Sequence, residues 1–332
     1  MNNLSERERE RERETCRCES GSHSHNSTIV LFRTCKCPTQ QTTITTERNS
    51  VSAETPSADD AFEDGWTEWG NRQELRKRIL TTTCNHLRVS QRDLLERLLL
   101  SPALHFRHLL LDDRSGVIYC YIPEIALDSW GSLWESLTGD SSRTSLSSVY
   151  ESQDEAKARA SLRLKLMTYT KVVVVQHPFL RLLSTYRARI YNQSDDSHHQ
   201  KAIRAAIHDH LHHHRIPSAN SSVSWPDFVS FLTKGNNNKM ADDLWKPYEA
   251  ICHPCAVEYD VIAKAETLHE DSERFLRRIG APKDVRLPSG ASGSSIGANR
   301  DLWDEYQEML SEEQLDALRK AYERDLKLFA YK

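Results

Sequence analysis

No stretch of this 332-residue chain approaches the eighteen or so consecutive apolar residues that a membrane-spanning helix requires, and the apolar run Ile29 to Phe32 near the amino terminus is far too short. A dominant charge is missing as well. Lys and Arg number 44 against 48 Asp and Glu, a formal net charge of −4. That balance excludes a nucleic-acid binder held by backbone contacts, while leaving room for a local basic cleft. No GxxxxGK[ST] occurs, which argues against phosphoryl transfer on a P-loop nucleotide site. Large apolar residues are scarce up to about Asp64, and Glu6 to Glu14 merely alternates Glu and Arg. Residues 1–70 therefore read as a disordered low-complexity region, and 71–332 as the folded domain. Cys16, Cys18, Cys35 and Cys37 lack the spacing of common zinc fingers and ribbons, and no metal is expected.

The clearest positive signal is a change of period. Val172 to Val175 are four β-branched residues in a row, the mark of a strand buried on both faces. Phe179, Leu182, Leu183, Tyr186 and Ile190 then recur at helical spacing. Between them lie Gln176, His177 and Pro178, where backbone N–H groups and a helix N-terminus converge and an anion is favoured. Val117 to Ile122 is a second strand and Pro123 to Asp128 a loop, with Ser129 capping a helix that carries Trp130, Leu133, Trp134 and Leu137. Both loops follow the carboxyl end of their strand. The two units are thus expected side by side in a parallel sheet, with a ligand lying across both loops. Elsewhere the pattern is helical from Arg72 to Leu111, with Leu75, Ile79, Leu94, Leu95, Leu98 and Leu99 on apolar faces. Further helices are expected over Glu151 to Leu166, from Trp225 onward, and as one closing helix from Asp301 to Phe329.

These residues resemble a family. IPEIALDSW and VVQHPFLRLLSTYR are similar to the two cofactor motifs of the Golgi carbohydrate sulfotransferases of the HNK-1 and chondroitin 4-O type. WKPYEAICHPCAVEYDVIAKAETL, Trp245 to Leu268, and YERDLKLFAY near the carboxyl end resemble two further motifs in the same order. The resemblance implies an α/β, P-loop-like sulfotransferase fold with a parallel sheet flanked by helices. It implies transfer of a sulfuryl group from 3′-phosphoadenosine 5′-phosphosulfate (PAPS) to a glycan hydroxyl, without a metal. It implies Golgi residence through an N-terminal membrane anchor that is not visible in this sequence. Sequons at Asn3, Asn26, Asn192 and Asn220 agree with a secretory route.

By that resemblance Pro123, Glu124, Ile125, Ala126, Leu127, Asp128 and Ser129 hold the 5′-phosphosulfate. Gln176, His177, Pro178, Phe179, Arg181, Ser184 and Arg187 hold the 3′-phosphate. The departures fall mostly on charge: Glu124 stands where the family has lysine, Asp128 where it has threonine, Gly131 and Ser132 where a basic pair follows, Gln176 where it has arginine, and Leu244 where a histidine precedes the tryptophan. A carboxylate in the first loop reverses the sign of an interaction that stabilises the leaving oxygen, so weak PAPS binding is expected. The base is not assigned. The alternative in another class is a catalytically impaired relative that binds a glycan or a partner protein. Cys252 and Cys255 are expected to form disulfides locally or elsewhere, with a redox CxxC as the sharper alternative. Seven histidines between Asp195 and Arg215 suggest a pH-dependent cationic surface for an acidic glycan, beside the simpler reading of a solvated helix.

Overall fold

The computed structural model describes residues 17–25, 28–36, 58–86, 90–125, 127–139, 144–150, 154–191, 198–212, 223–234, 242–288 and 302–332. The four sequons therefore lie outside the described residues. The chain forms two units, Met1–Asp60 and Ala61–Lys332. In the first, β1 (Arg17–His25) pairs antiparallel with β2 (Thr28–Lys36), placing Cys18 opposite Cys35. This ladder lies inside the segment whose composition suggested no regular structure.

From the end of the first unit the chain runs α1 (Ala58–Asn85), α2 (Gln91–Leu99), β3 (Leu109–Asp112), β4 (Val117–Cys120), α3 (Leu127–Thr138), α4 (Glu155–Thr168), β5 (Thr170–Val175) and α5 (Pro178–Thr185). It continues through a π-helical segment (Tyr186–Tyr191), α6 (His198–His212), α7 (Trp225–Thr233), α8 (Tyr248–Cys252), β6 (Val261–Lys264), α9 (Leu268–Arg278), α10 (Glu312–Ala321) and α11 (Glu323–Leu328). The sheet order is β3-β4-β5-β6. β4, β5 and β6 are parallel, with Cys120 opposite Val173 and Val175 opposite Lys264. The two predicted βα units are indeed neighbours, and their loops open at one end.

Four expectations are corrected. Leu109 to Leu111 were read as the end of a helical stretch but form, with Asp112, an antiparallel edge strand on β4. A short leucine run fits either period, and the turn after it decides: Asp112 accepts the N–H groups of Arg114 and Ser115, and Gly116 at φ +61° reverses the chain. Leu75 was assigned to the apolar face of α1, yet it is 58% exposed while Trp69, Gln73, Leu80 and Cys84 face inward. The long closing helix is broken, because Ser311 and Gln314 form a reciprocal capping box that starts α10, and α11 follows separately. Ser129 likewise lies inside the first turn of α3 and is not its cap.

One apolar cluster surrounds the sheet and includes Val172 to Val175, Trp130, Trp134 and Phe275. A second joins α5, the π-helical segment, α6, α7 and α10 through Phe179, Leu183, Tyr186, Phe228 and Trp245. Two disulfides cross-link the first: Cys84 with Cys255, and Cys120 with Cys252. The buried Asp271 accepts from Trp69 (2.9 Å), Arg76 (2.8 Å), Thr267 (2.6 Å) and the Lys264 N–H (3.0 Å), fastening α1 and α9 to the end of β6. Such a carboxylate is tolerated inside because every lone pair meets a donor.

Candidate functional site

The carboxyl ends of β4, β5 and β6 place three connections on one edge of the sheet: Tyr121 to Ile125, Gln176 to His177, and Ala265 to Thr267. In an open α/β sheet this edge is where ligands bind. Arg181 holds the first two connections together. It is 2% exposed, and its guanidinium donates to the carbonyls of Pro123 (3.2 Å), Lys246 (2.8 Å) and Asp243 (2.7 Å) while lying over the Tyr248 ring. Its forked donors therefore serve the backbone of the loops. Sequence reasoning had placed this residue among the anion ligands, and no signal in the local pattern distinguishes the two uses.

Asp243 makes the acceptor end of that clamp rigid. Its carboxylate meets Arg107 Nε at 3.0 Å and His108 Nε2 at 2.9 Å, and the His108 ring stacks on Tyr121. Burial alone would push the Asp243 carboxyl up, but the hydrogen bonds from His108 and Arg107 outweigh it and hold the group well below the usual carboxylate range. The second loop is fixed from the other side. Tyr248 Oη donates to the Gln176 carbonyl at 2.8 Å, and the buried Asp325 accepts the N–H groups that begin α8, at 2.8 Å from Tyr248 N.

Glu124 is the largest difference between expectation and geometry. It was expected to face a bound anion; instead its Oε1 lies 3.0 Å from Arg189 Nε and 2.9 Å from Arg189 Nη2. The Glu124 side chain is 9% exposed and that of Arg189 31%. Arg189 was not among the predicted site residues, because a π-helical segment carries it back over the first loop, and a helical repeat does not show that widening. Glu124 holds this position at φ +66°, unusual for a residue with a side chain.

Of the other predicted residues, Pro123, Ile125, Gln176, His177, Pro178 and Phe179 all sit on this edge, with Gln176 and Ile125 buried. His177 caps α5: its Nδ1 accepts from Phe179 N at 3.2 Å, so Nε2 carries the proton and faces the Lys332 carbonyl at 2.9 Å. Ser184 Oγ turns back to the Leu180 carbonyl, and Arg187 is exposed one turn further on. Ala126 is outside the described residues, and Leu127 and Asp128 are placed as the start of α3 by backbone alone. Cys252 and Cys255 bond to partners elsewhere and not to each other. His198, His208 and His210 lie on α6, whose Arg204 reaches the Arg189 carbonyl at 3.4 Å. Among the described residues no cluster of His, Cys, Asp and Glu has the geometry to hold a metal ion, and no helix is long and apolar enough to cross a membrane. Two clefts, one along α1 and Glu258 to Ile262 and one along α9 and Ala281 to Leu287, include none of these loop residues.

A mostly parallel α/β sheet with two joined loops at its carboxyl edge is an enzyme-like architecture with a place for a ligand, and it hosts many chemistries. Comparison with known proteins narrows this, since residues 107–332 match the model of the sulfotransferase family. The chain belongs to that family. It is 28% identical over 260 residues to mouse carbohydrate sulfotransferase 12, a match covering 69% of this chain and 61% of that protein. Rat carbohydrate sulfotransferase 11 is 27% identical over 274 residues, covering 78% of this chain and 75% of the relative. Human carbohydrate sulfotransferase 14 is 29% identical over 233 residues, covering 66% and 58%. The chain thus spans less than two thirds of the first of these relatives. No solved structure matches it.

Proposed function

We propose that this chain transfers a sulfuryl group from PAPS to a hydroxyl of a glycan. The observation that carries the reading is the joining of the two βα loops at one sheet edge through Arg181, in a chain of the sulfotransferase family whose relatives are carbohydrate sulfotransferases. The donor set fits an anionic nucleotide. The N-terminus of α5 opens beside Gln176, Ser184 follows on that helix and Arg187 on the π-helical segment after it, and Arg189 brings a cation to the first loop. The charge of Glu124 is compensated by Arg189, so it does not stand bare against a ligand.

PAPS, when bound, supplies a sulfuryl group on a phosphate that can depart. The chain's own residues bind and orient. Gln176 offers a neutral donor in place of a charged one, which lowers affinity by roughly ten- to a hundred-fold relative to an arginine there. At the first loop, Arg189 shares its charge with Glu124, so less positive potential remains to stabilise charge developing on a departing oxygen, and a slow chemical step is expected. The basic and histidine-bearing face of α6 adjoins the Arg189 segment and suits an acidic acceptor such as a glycosaminoglycan. Residence in the Golgi follows from the same reading. Calorimetric titration with 3′-phosphoadenosine 5′-phosphate (PAP), followed by sulfate transfer from labelled PAPS to a panel of glycosaminoglycans, tests it. Absence of PAP binding would sink the proposal.

A further inference from the structure

The substitution of Gln176 leaves an anion at the second loop without its charged partner on that strand, and the neighbouring strand supplies a substitute. In the β5-β6 ladder Val175, the residue just before Gln176, stands opposite Lys264, the last residue of β6. Adjacent strands are about 4.8 Å apart, and a lysine stem can cross that distance toward the loop beyond. Lys264 Nζ lies 4.0 Å from the centroid of the Tyr331 ring, and that ring packs edge-on against His177 at 5.3 Å. The ammonium is thus one aromatic ring away from the residue that caps α5. Resting on the PAPS reading above, we infer that Lys264 is the cation that binds the 3′-phosphate, taking the place of the arginine that Gln176 replaces.

Three observations support this. Lys264 makes no ion pair among the described residues, although Glu266 and Asp271 are near: Glu266 Oε2 accepts from Tyr331 Oη at 3.1 Å, and Asp271 is committed to Arg76, Thr267, Trp69 and the Lys264 backbone. Glu266 and Asp271 act on it only at a distance, and its direct contact is the Tyr331 ring face. Burial holds the Lys264 amine below the ordinary lysine range, outweighing the opposite pull of Glu266 and Asp271, so a further anion in direct contact would be favoured there. Tyr331 keeps the stem from collapsing, because its hydroxyl is anchored to Glu266 and its face carries the ammonium. The cation then joins the α5 N-terminus on one anion from a second direction, which a neutral Gln176 alone cannot provide.

The test compares a ligand that carries the 3′-phosphate with one that lacks it, each read as the ratio of variant to unsubstituted chain so that their different 5′ groups cancel. The full chain, its Lys264→Gln variant and its Lys264→Arg variant are titrated calorimetrically with PAP and with adenosine 5′-phosphosulfate, which lacks the 3′-phosphate. Lys264→Gln should weaken PAP by about tenfold or more and leave adenosine 5′-phosphosulfate within about twofold, while Lys264→Arg keeps most of the PAP affinity. A merely structural role would weaken both ligands alike. Because Lys264→Gln also removes the contact with Tyr331, protection is measured on the unsubstituted chain: PAP, and not adenosine 5′-phosphosulfate, should shield Lys264 from an amine-acylating reagent read by peptide mass. PAP binding that ignores Lys264→Gln and leaves Lys264 equally reactive overturns this inference and spares the functional reading. No PAP binding by the unsubstituted chain overturns both.

Discussion

Glu124 and Arg189 form an ion pair that neither residue's neighbours in sequence would suggest, and the pair changes what a substitution at Glu124 does. Replacing Glu124 by lysine, as if to restore a family loop, sets two cations a few ångström apart at a repulsion of about 4 kcal/mol in an effective dielectric near 20. Glu124→Lys should therefore lower the thermal midpoint more than Glu124→Gln, and Glu124→Lys with Arg189→Glu should recover much of the loss. A double-mutant cycle by denaturant unfolding checks this, with an expected coupling of about 1 to 3 kcal/mol; additive losses would mean that the pair is incidental. Asp325 gives the pH dependence. Burial pushes its carboxyl up to about 7, against the two N–H groups that begin α8. Its folded pKa lies above the unfolded value, so the folded state holds the extra proton between about pH 4 and 7, and stability falls as pH rises through that window. The effect is on the order of 4 kcal/mol at most. Asp325→Asn should flatten that slope in urea midpoints taken at pH 5 and pH 8; an unchanged slope would assign the titration to another group.

At the scale of elements, the fastening of the site depends on contacts between segments far apart in sequence. Cys120 ends β4 immediately before the first loop, and its disulfide to Cys252 spans 132 residues, while Cys84 to Cys255 spans 171. Loops of that length are costly to close, and losing one such cross-link removes about 2 to 5 kcal/mol. Cys120→Ala with Cys252→Ala should thus lower the unfolding midpoint and, by loosening the loop base, raise the Kd for PAP. Equal Kd values would show that the contacts of Arg181 and Arg189 position the loop without the disulfide. The strands β4 and β5, and the helices that follow them, were legible in the sequence because four valines and a helical repeat of large apolar residues are unambiguous. β3 was not, since three leucines fit either period and only hydrogen bonding to β4 settles them. The orientation of α1 was hidden too: Leu75 looks like a core residue, but the pairing of Trp69, Gln73 and Arg76 with Asp271 turns it outward.

For the whole molecule, residues 58–332 should carry nucleotide binding, and the chain should tolerate shortening from the amino end. The boundary belongs before Ala58, where α1 begins, since Trp66 packs on the core and Arg274 lies over its ring. A chain starting at Ala58 should unfold cooperatively at the midpoint of the full chain; a lost transition would make the preceding segment part of the fold. The sequence by itself determined the family, the parallel βα pair, the edge at which the loops open and the positions where charge departs from the family pattern. These are local: period, turn chemistry and residue identity act over a few neighbours. Tertiary structure alone decided what those positions do. Glu124 is neutralised by a residue 65 positions away, Arg181 serves backbone carbonyls, Asp325 caps a helix 77 positions before it, and Lys264 arrives beside the second loop by sheet register. A side chain's charge is written in the sequence, but the field it stands in is made by whatever the fold brings within a few ångström of it.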